Sequence, residues 1–296
     1  LRSSLPFPVP HHVGPCSSAG IMVLSRFVSV LSVAVLSSTA AALRARKEAD
    51  PCACKNWKET YESAAVRCGK TNEFYQTTKH SSLTSEQVDE AFRFLGEQFC
   101  TQFFEAIDDN ACVNMMIDED RGQWCYVDAA CTNLTGGIKV NDQLSWKFCT
   151  DGQDKMLRHL SPPELFKLAE DNRLEFGLTN KMAYTLSPYK WKYISAFWKE
   201  ADLDHLNTTV HRRAYGDIGM SMAELTELLA PRWGKRQRDI DAEMQKDLQG
   251  YKDSGLPVTF DTAKDKHPPH VIVQGESIFI VLPKYPAAMV CLSGCP

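Results

Sequence analysis

Eight cysteines fall between residues 52 and 149, none between 150 and 290, and Cys291 and Cys295 close the chain. That density over about a hundred residues marks a disulfide-stapled module, whose fold is constrained by cross-links before any core is counted. The disulfide candidates are Cys52, Cys54, Cys68, Cys100, Cys112, Cys125, Cys131, Cys149, Cys291 and Cys295. Eight half-cystines allow 105 connectivities, so spacing leaves the pairing open. Cys291 and Cys295 can join each other or the first module.

Upstream, residues 22–42 read as a secretory signal peptide. Arg26 is the basic start, Phe27 to Leu36 the apolar centre and Thr39 to Ala42 the small-residue cleavage site. The apolar centre, about ten residues, is half of what a spanning helix needs, so cleavage rather than anchoring is expected. Residues 1–21, which begin with Leu1 and include Cys16, are expected to be upstream sequence outside the mature protein, and 43–51 an N-terminal tail. A secreted, extracellular protein follows, in a compartment where thiols oxidise. Asn133-Leu134-Thr135 and Asn207-Thr208-Thr209 are N-glycosylation acceptors, which suits a secreted glycoprotein.

The net charge is −4, and removing 1–42 deletes Arg2 and Arg26 but no acid. An acidic mature chain argues against nucleic acid or an anionic membrane surface as a general partner. No membrane span is expected after signal cleavage. The partner is an extracellular ligand or protein that the sequence does not identify.

Periodicity predicts an α+β fold, mainly α. Residues 52–150 form a disulfide-rich module with a helix from Trp57 to Cys68, stopped by Gly69. A long helix follows, opened by the capping box Thr84-Ser85-Glu86-Gln87 and running to Ile107. Short strands are expected at 123–127 and 145–149. Residues 151–260 form a helical region, with starts at Ser161-Pro162-Pro163-Glu164, Ser187-Pro188 and Ser221-Met222-Ala223-Glu224, the last continuing to about Tyr251. Residues 261–296 form a C-terminal segment whose hairpin turns at Gln274-Gly275-Glu276.

The stretches that carry catalytic chemistry elsewhere have simpler readings here. Gly219-Met220-Ser221-Met222-Ala223 is one residue off a nucleophile elbow, with Asp261 and then His267 or His270 downstream in the right order. The residues before it make no buried strand, and Ser221 with Glu224 is a helix cap. Asp265 to His270 holds two histidines, but its two prolines make a solvated loop and a third ligand is missing. Asp108-Asp109-Asn110 and Asp118-Glu119-Asp120 form an acidic loop that fails the EF-hand template. Cys52-Ala53-Cys54 lacks the spacing of a redox motif, so both members are structural. Arg232 to Arg238 is a basic run followed at once by acids, which makes a solvated helix face. The six tryptophans are expected in the core rather than along a carbohydrate groove. The sequence therefore points to no catalytic residue, no metal ligand and no cofactor.

The motifs Cys52-Ala53-Cys54-Lys55-Asn56-Trp57, Gln123-Trp124-Cys125-Tyr126-Val127, Ser145-Trp146-Lys147-Phe148-Cys149 and Ser161-Pro162-Pro163-Glu164-Leu165 belong together. Across about 52–184 the chain resembles a family of uncharacterised secreted cysteine-rich proteins of dinoflagellate algae. The resemblance implies secretion and a recurring cysteine module, and brings no activity or ligand. The expected function is a disulfide-stabilised binding or structural extracellular protein without an evident catalytic site. The alternative is a secreted hydrolase whose site is assembled from dispersed residues.

Overall fold

The computed structural model describes residues 50–74, 90, 93–117, 119–198, 240–262, 269–282 and 288–295. The signal-peptide segment, the box at Thr84, Asn207, Ser221, Trp233 and His267 lie outside them. Of the described residues 35% are helical and 25% lie in strands, arranged in a three-stranded and a five-stranded sheet. The expectation of a mainly α fold is therefore overturned. Its helices are short, and two sheets organise the cores.

The first core is aromatic. Helix α1 (Trp57–Glu62) starts at Asn56, whose side chain accepts the Glu59 N–H. It buries Trp57, whose indole donates to the Ala111 carbonyl at 2.7 Å. The helix stops six residues short of Cys68, because Ala64 turns left-handed at φ 55°. Where a long α-helix was expected, the described part winds as a π-helix over Gly96–Phe104. The Glu105 N–H reaches back five residues to the Cys100 carbonyl. Both Phe103 and Phe104 are buried, with ring centroids 5.1 Å apart.

Strands β1 (Val113–Asn114), β2 (Gln123–Asp128) and β3 (Leu144–Phe148) form an antiparallel sheet in that order. Trp124, Tyr126 and Trp146 pack from it with Trp57 and Phe104. Trp57 and Trp124 meet edge to face at 4.9 Å. Gly137 lets the turn before β3 close over the sheet, since a Cβ there would lie 1.9 Å from the Trp146 carbonyl oxygen.

Helix α2 (Pro162–Asn172) has Pro162 at its first position, and the Glu164 carboxylate accepts from both the Ser161 N–H and its hydroxyl. Helix α3 (Phe176–Ala183) follows, its N-terminal N–H groups taken by Glu175. The C-terminal carbonyls of α3 would otherwise be orphaned. Asn114 donates to Lys181 and Tyr184, and Gln123 to Ala183, which ties α3 to the three-stranded sheet.

Beyond α3 the helical expectation for 151–260 fails at two places. Thr185–Lys190 is strand β4, where Ser187-Pro188 was read as a helix start, and Val258–Asp261 is β5. Pro188 is accommodated because β4 is an edge strand with this residue exposed. The strand pairs parallel with β5, and β5, β6 (His270–Gln274), β7 (Ser277–Leu282) and β8 (Ala288–Ser293) continue antiparallel. Short helix α4 (Trp191–Ile194), 3-10 turns at Leu157–His159 and Ser195–Trp198, and helix α5 (Ala242–Ser254) complete the described elements.

Alternation along the five-stranded sheet explains why both its faces are apolar. Ile272, Phe279 and Val281 join the first core. Val271, Val273, Ile278, Ile280 and Leu282 face the other way, into a second core with Trp191, Trp198, Leu248 and Phe260.

Candidate functional site

All ten cysteines among the described residues are paired, as Cys52–Cys131, Cys54–Cys125, Cys68–Cys100, Cys112–Cys149 and Cys291–Cys295. Cys52 and Cys54 therefore serve different cross-links. Both anchor the extended segment before α1 alongside β2, where the Lys55 N–H donates to the Tyr126 carbonyl and the Asp128 N–H to that of Pro51.

This anchoring shapes a polar groove of about 560 Å³ between α1, the end of β2 and the turn before β3. Lys55, Asn56, Glu59, Asp128, Asp142 and Gln143 contribute its polar wall. Lys55 pairs with Asp128 at 3.3 Å and Lys139 with Asp142 at 2.8 Å. The Ala130 N–H, then Lys55, holds the Asp128 carboxyl below its ordinary range. Lys139 does the same for Asp142. Both acids stay charged and exposed, so the groove presents fixed polar groups to solvent. Its chemistry suits recognition of a polar partner; neither acid is tuned as a proton donor.

A second feature was not visible in the sequence. The Cys54–Cys125 and Cys112–Cys149 disulfides touch, with Cys54 Sγ 3.5 Å from Cys112 Sγ and 4.0 Å from Cys149 Sγ. All four sulfurs lie within 4.8 Å of one another. The four positions are spread over almost a hundred residues without a C-x-x-C pair, so no local spacing announces them.

The sequence-derived candidates scatter. Asp261 and His270 do meet, at 3.5 Å across β5 and β6, but His270 is 0% exposed. Its Nδ1 lies 3.3 Å from Asn180 Nδ2, and Asn180 Oδ1 accepts from Thr259. No substrate reaches an imidazole in that position, and the network ties α3 to the sheet. The acidic loop is consumed locally: Asp108 accepts from Asn56, Asp109 pairs with Lys155, and Asp120 pairs with Arg158 at 2.8 Å. Trp57, Trp124, Trp146, Trp191 and Trp198 are all buried. Asn133 is exposed, two residues past the Cys52–Cys131 link.

No family model matches this chain, and neither a curated protein nor a solved structure does. Among the described residues no helix is long and apolar enough to cross a membrane.

Proposed function

We propose that this is a secreted extracellular protein that works by binding, or as a structural component, through the polar groove beside α1. The observation that carries the reading is the complete pairing of the ten described cysteines, a state that persists in oxidising surroundings. The leader-like segment 22–42 and the exposed Asn133 of a glycosylation acceptor support the same reading. A hydrolase draws no support from the described acid–histidine pair, which is sealed in the core.

The full chain is to be expressed through a eukaryotic secretory pathway. It is expected in the medium with an N-terminus near Leu43 and a glycan on Asn133. The purified protein is then expected to be retained on extracellular material from the cells that secrete it. The double variant Lys55→Glu, Asp142→Lys should lose that retention while keeping the wild-type melting temperature. Retention unchanged in the variant, or intracellular accumulation of the wild type, would contradict the reading.

A further inference from the structure

Cys54, Cys112, Cys125 and Cys149 are drawn from four different parts of the first module. Cys54 precedes α1, Cys112 precedes β1, Cys125 lies within β2 and Cys149 follows β3. Their sulfurs nonetheless share one cluster. Two disulfides can each be satisfied anywhere their own partners meet. Nothing in disulfide bonding requires two such bonds to lie in contact.

Contact of this kind is what a tetrathiolate centre requires. Four thiolates around a zinc ion at about 2.3 Å stand about 3.8 Å apart at tetrahedral angles. Two contacts between the disulfides, 3.5 and 4.0 Å, bracket that spacing. We propose that, when reduced, these four cysteines form a tetrathiolate site for a thiophilic divalent cation, zinc above all. Oxidised, the same positions hold the two disulfides, so the site is gated by redox state. The inference does not depend on secretion.

Backbone hydrogen bonds also hold the four positions, alongside the sulfur bonds. The Cys112 N–H donates to the Lys155 carbonyl at 2.8 Å, and the Cys112 carbonyl accepts from Leu157 at 3.0 Å. The Cys149 N–H donates to Gln123 at 2.8 Å, and Lys55, next to Cys54, donates to Tyr126. Cys125 sits mid-strand, paired in register with Lys147. On reduction these backbone hydrogen bonds remain to keep the four thiols near one another.

Charge and access are also suitable. Four thiolates around a divalent cation leave a net charge of −2, which needs a cation nearby. Lys147, 9% exposed, lies beside the cluster and pairs at 2.8 Å with Asp154. Asp154 Oδ1 is 3.8 Å from Cys54 Sγ, and its negative charge repels a thiolate there. That carboxylate is already engaged by Lys147 and by the Thr150 N–H. Cys54 and Cys149 are half-buried, whereas Cys112 and Cys125 are buried, so reductant and metal have one side of approach. The chemistry balances with a dithiol reductant. Each disulfide takes two electrons and two protons from one dithiol, which itself closes to a disulfide. The cation then displaces the thiol protons into solvent.

The test uses the full chain in two forms. One keeps only Cys54, Cys112, Cys125 and Cys149, with every other cysteine replaced by serine. The other replaces those four and keeps the rest. Both are reduced with a phosphine without oxygen and titrated with cobalt(II), then with zinc. The first is expected to take up one cobalt per chain, with thiolate-to-cobalt charge-transfer absorption and intense tetrahedral d–d bands that zinc abolishes. Adding Cys149→Ser to it should remove the tetrathiolate signature. The second form should show none. The proposal is overturned if the first form gives no such spectrum, folded or unfolded. Equal uptake by both forms, or a signature that survives Cys149→Ser, overturns it as well.

Discussion

Glu73 is a carboxylate 4% exposed, and two phenols hold it there, Tyr61 at 2.8 Å and Tyr126 at 2.6 Å. A buried acid left short of donors costs about 1–3 kcal/mol. Tyr126→Phe is therefore expected to lower stability by about that amount, read as a shift in urea midpoint at unchanged slope. The same trio predicts an alkaline weakness. Burial, then the Glu73 charge, raises the Tyr61 and Tyr126 hydroxyls well above the ordinary tyrosine value of 10.0. In the unfolded chain both ionise near that ordinary value, while in the folded protein both keep their protons. Their contribution is therefore complete below about pH 10 and is lost as pH rises further. Melting temperature should fall steeply as pH rises above about 10, and less steeply in Tyr61→Phe. Equal slopes for the two proteins would place the alkaline weakness elsewhere. Gly137→Ala tests the tight turn over β3. Its new methyl meets a backbone carbonyl and not a movable side-chain tip, so a loss of about 3 kcal/mol or more is expected. A urea midpoint equal to wild type would show that the turn opens freely.

Elements differed in how far the sequence announced them, and the difference follows the range of the interactions that make them. The cap at Ser161 and Glu164 is local, and its residues sit as their spacing indicates. Strands β2 and β3 carry alternating bulky side chains that any pairing would use. Strand β4 fails because Ser187-Pro188 is as good a helix opening as an edge-strand residue pair. Only its parallel pairing with β5, more than seventy residues on, decides between them. The helix from Trp57 ends early because Ala64, with no sequence mark of its own, takes a left-handed turn. The candidate groove was equally hidden, since Asn56, Asp128 and Asp142 meet only after two disulfides have drawn 52–54 against β2. Cross-links should differ in worth by the chain they enclose. Cys52–Cys131 spans 79 residues and Cys291–Cys295 only 4. Loop-closure entropy assigns them about 4.5 and about 2 kcal/mol. The double variant Cys52→Ser, Cys131→Ser should therefore lose more than twice the stability lost by Cys291→Ser, Cys295→Ser. Similar losses in chemical denaturation would mean that closure entropy is not what these links supply.

Across the whole molecule, the five-stranded sheet joins what the cysteine distribution seemed to divide. One of its faces completes the aromatic core of the cross-linked module, and the other carries a core that has no disulfide among its buried residues. Cys291–Cys295 closes only the end of β8. Among the described residues the first core is thus stapled, whereas the second is held by packing, hydrogen bonds and the Lys252–Glu276 ion pair. That architecture gives the paired cysteines their central place in the extracellular reading and in the proposed metal site alike. The most direct measurement is peptide mapping of the secreted, non-reduced protein by mass spectrometry after digestion with free thiols blocked. Cross-linked peptides joining Cys52 to Cys131, Cys68 to Cys100 and Cys291 to Cys295 are predicted. A single linked cluster should hold Cys54, Cys112, Cys125 and Cys149, and none of the ten should carry the blocking group. Blocked thiols on several of them, or links between the Cys291–Cys295 pair and the first module, would contradict the account.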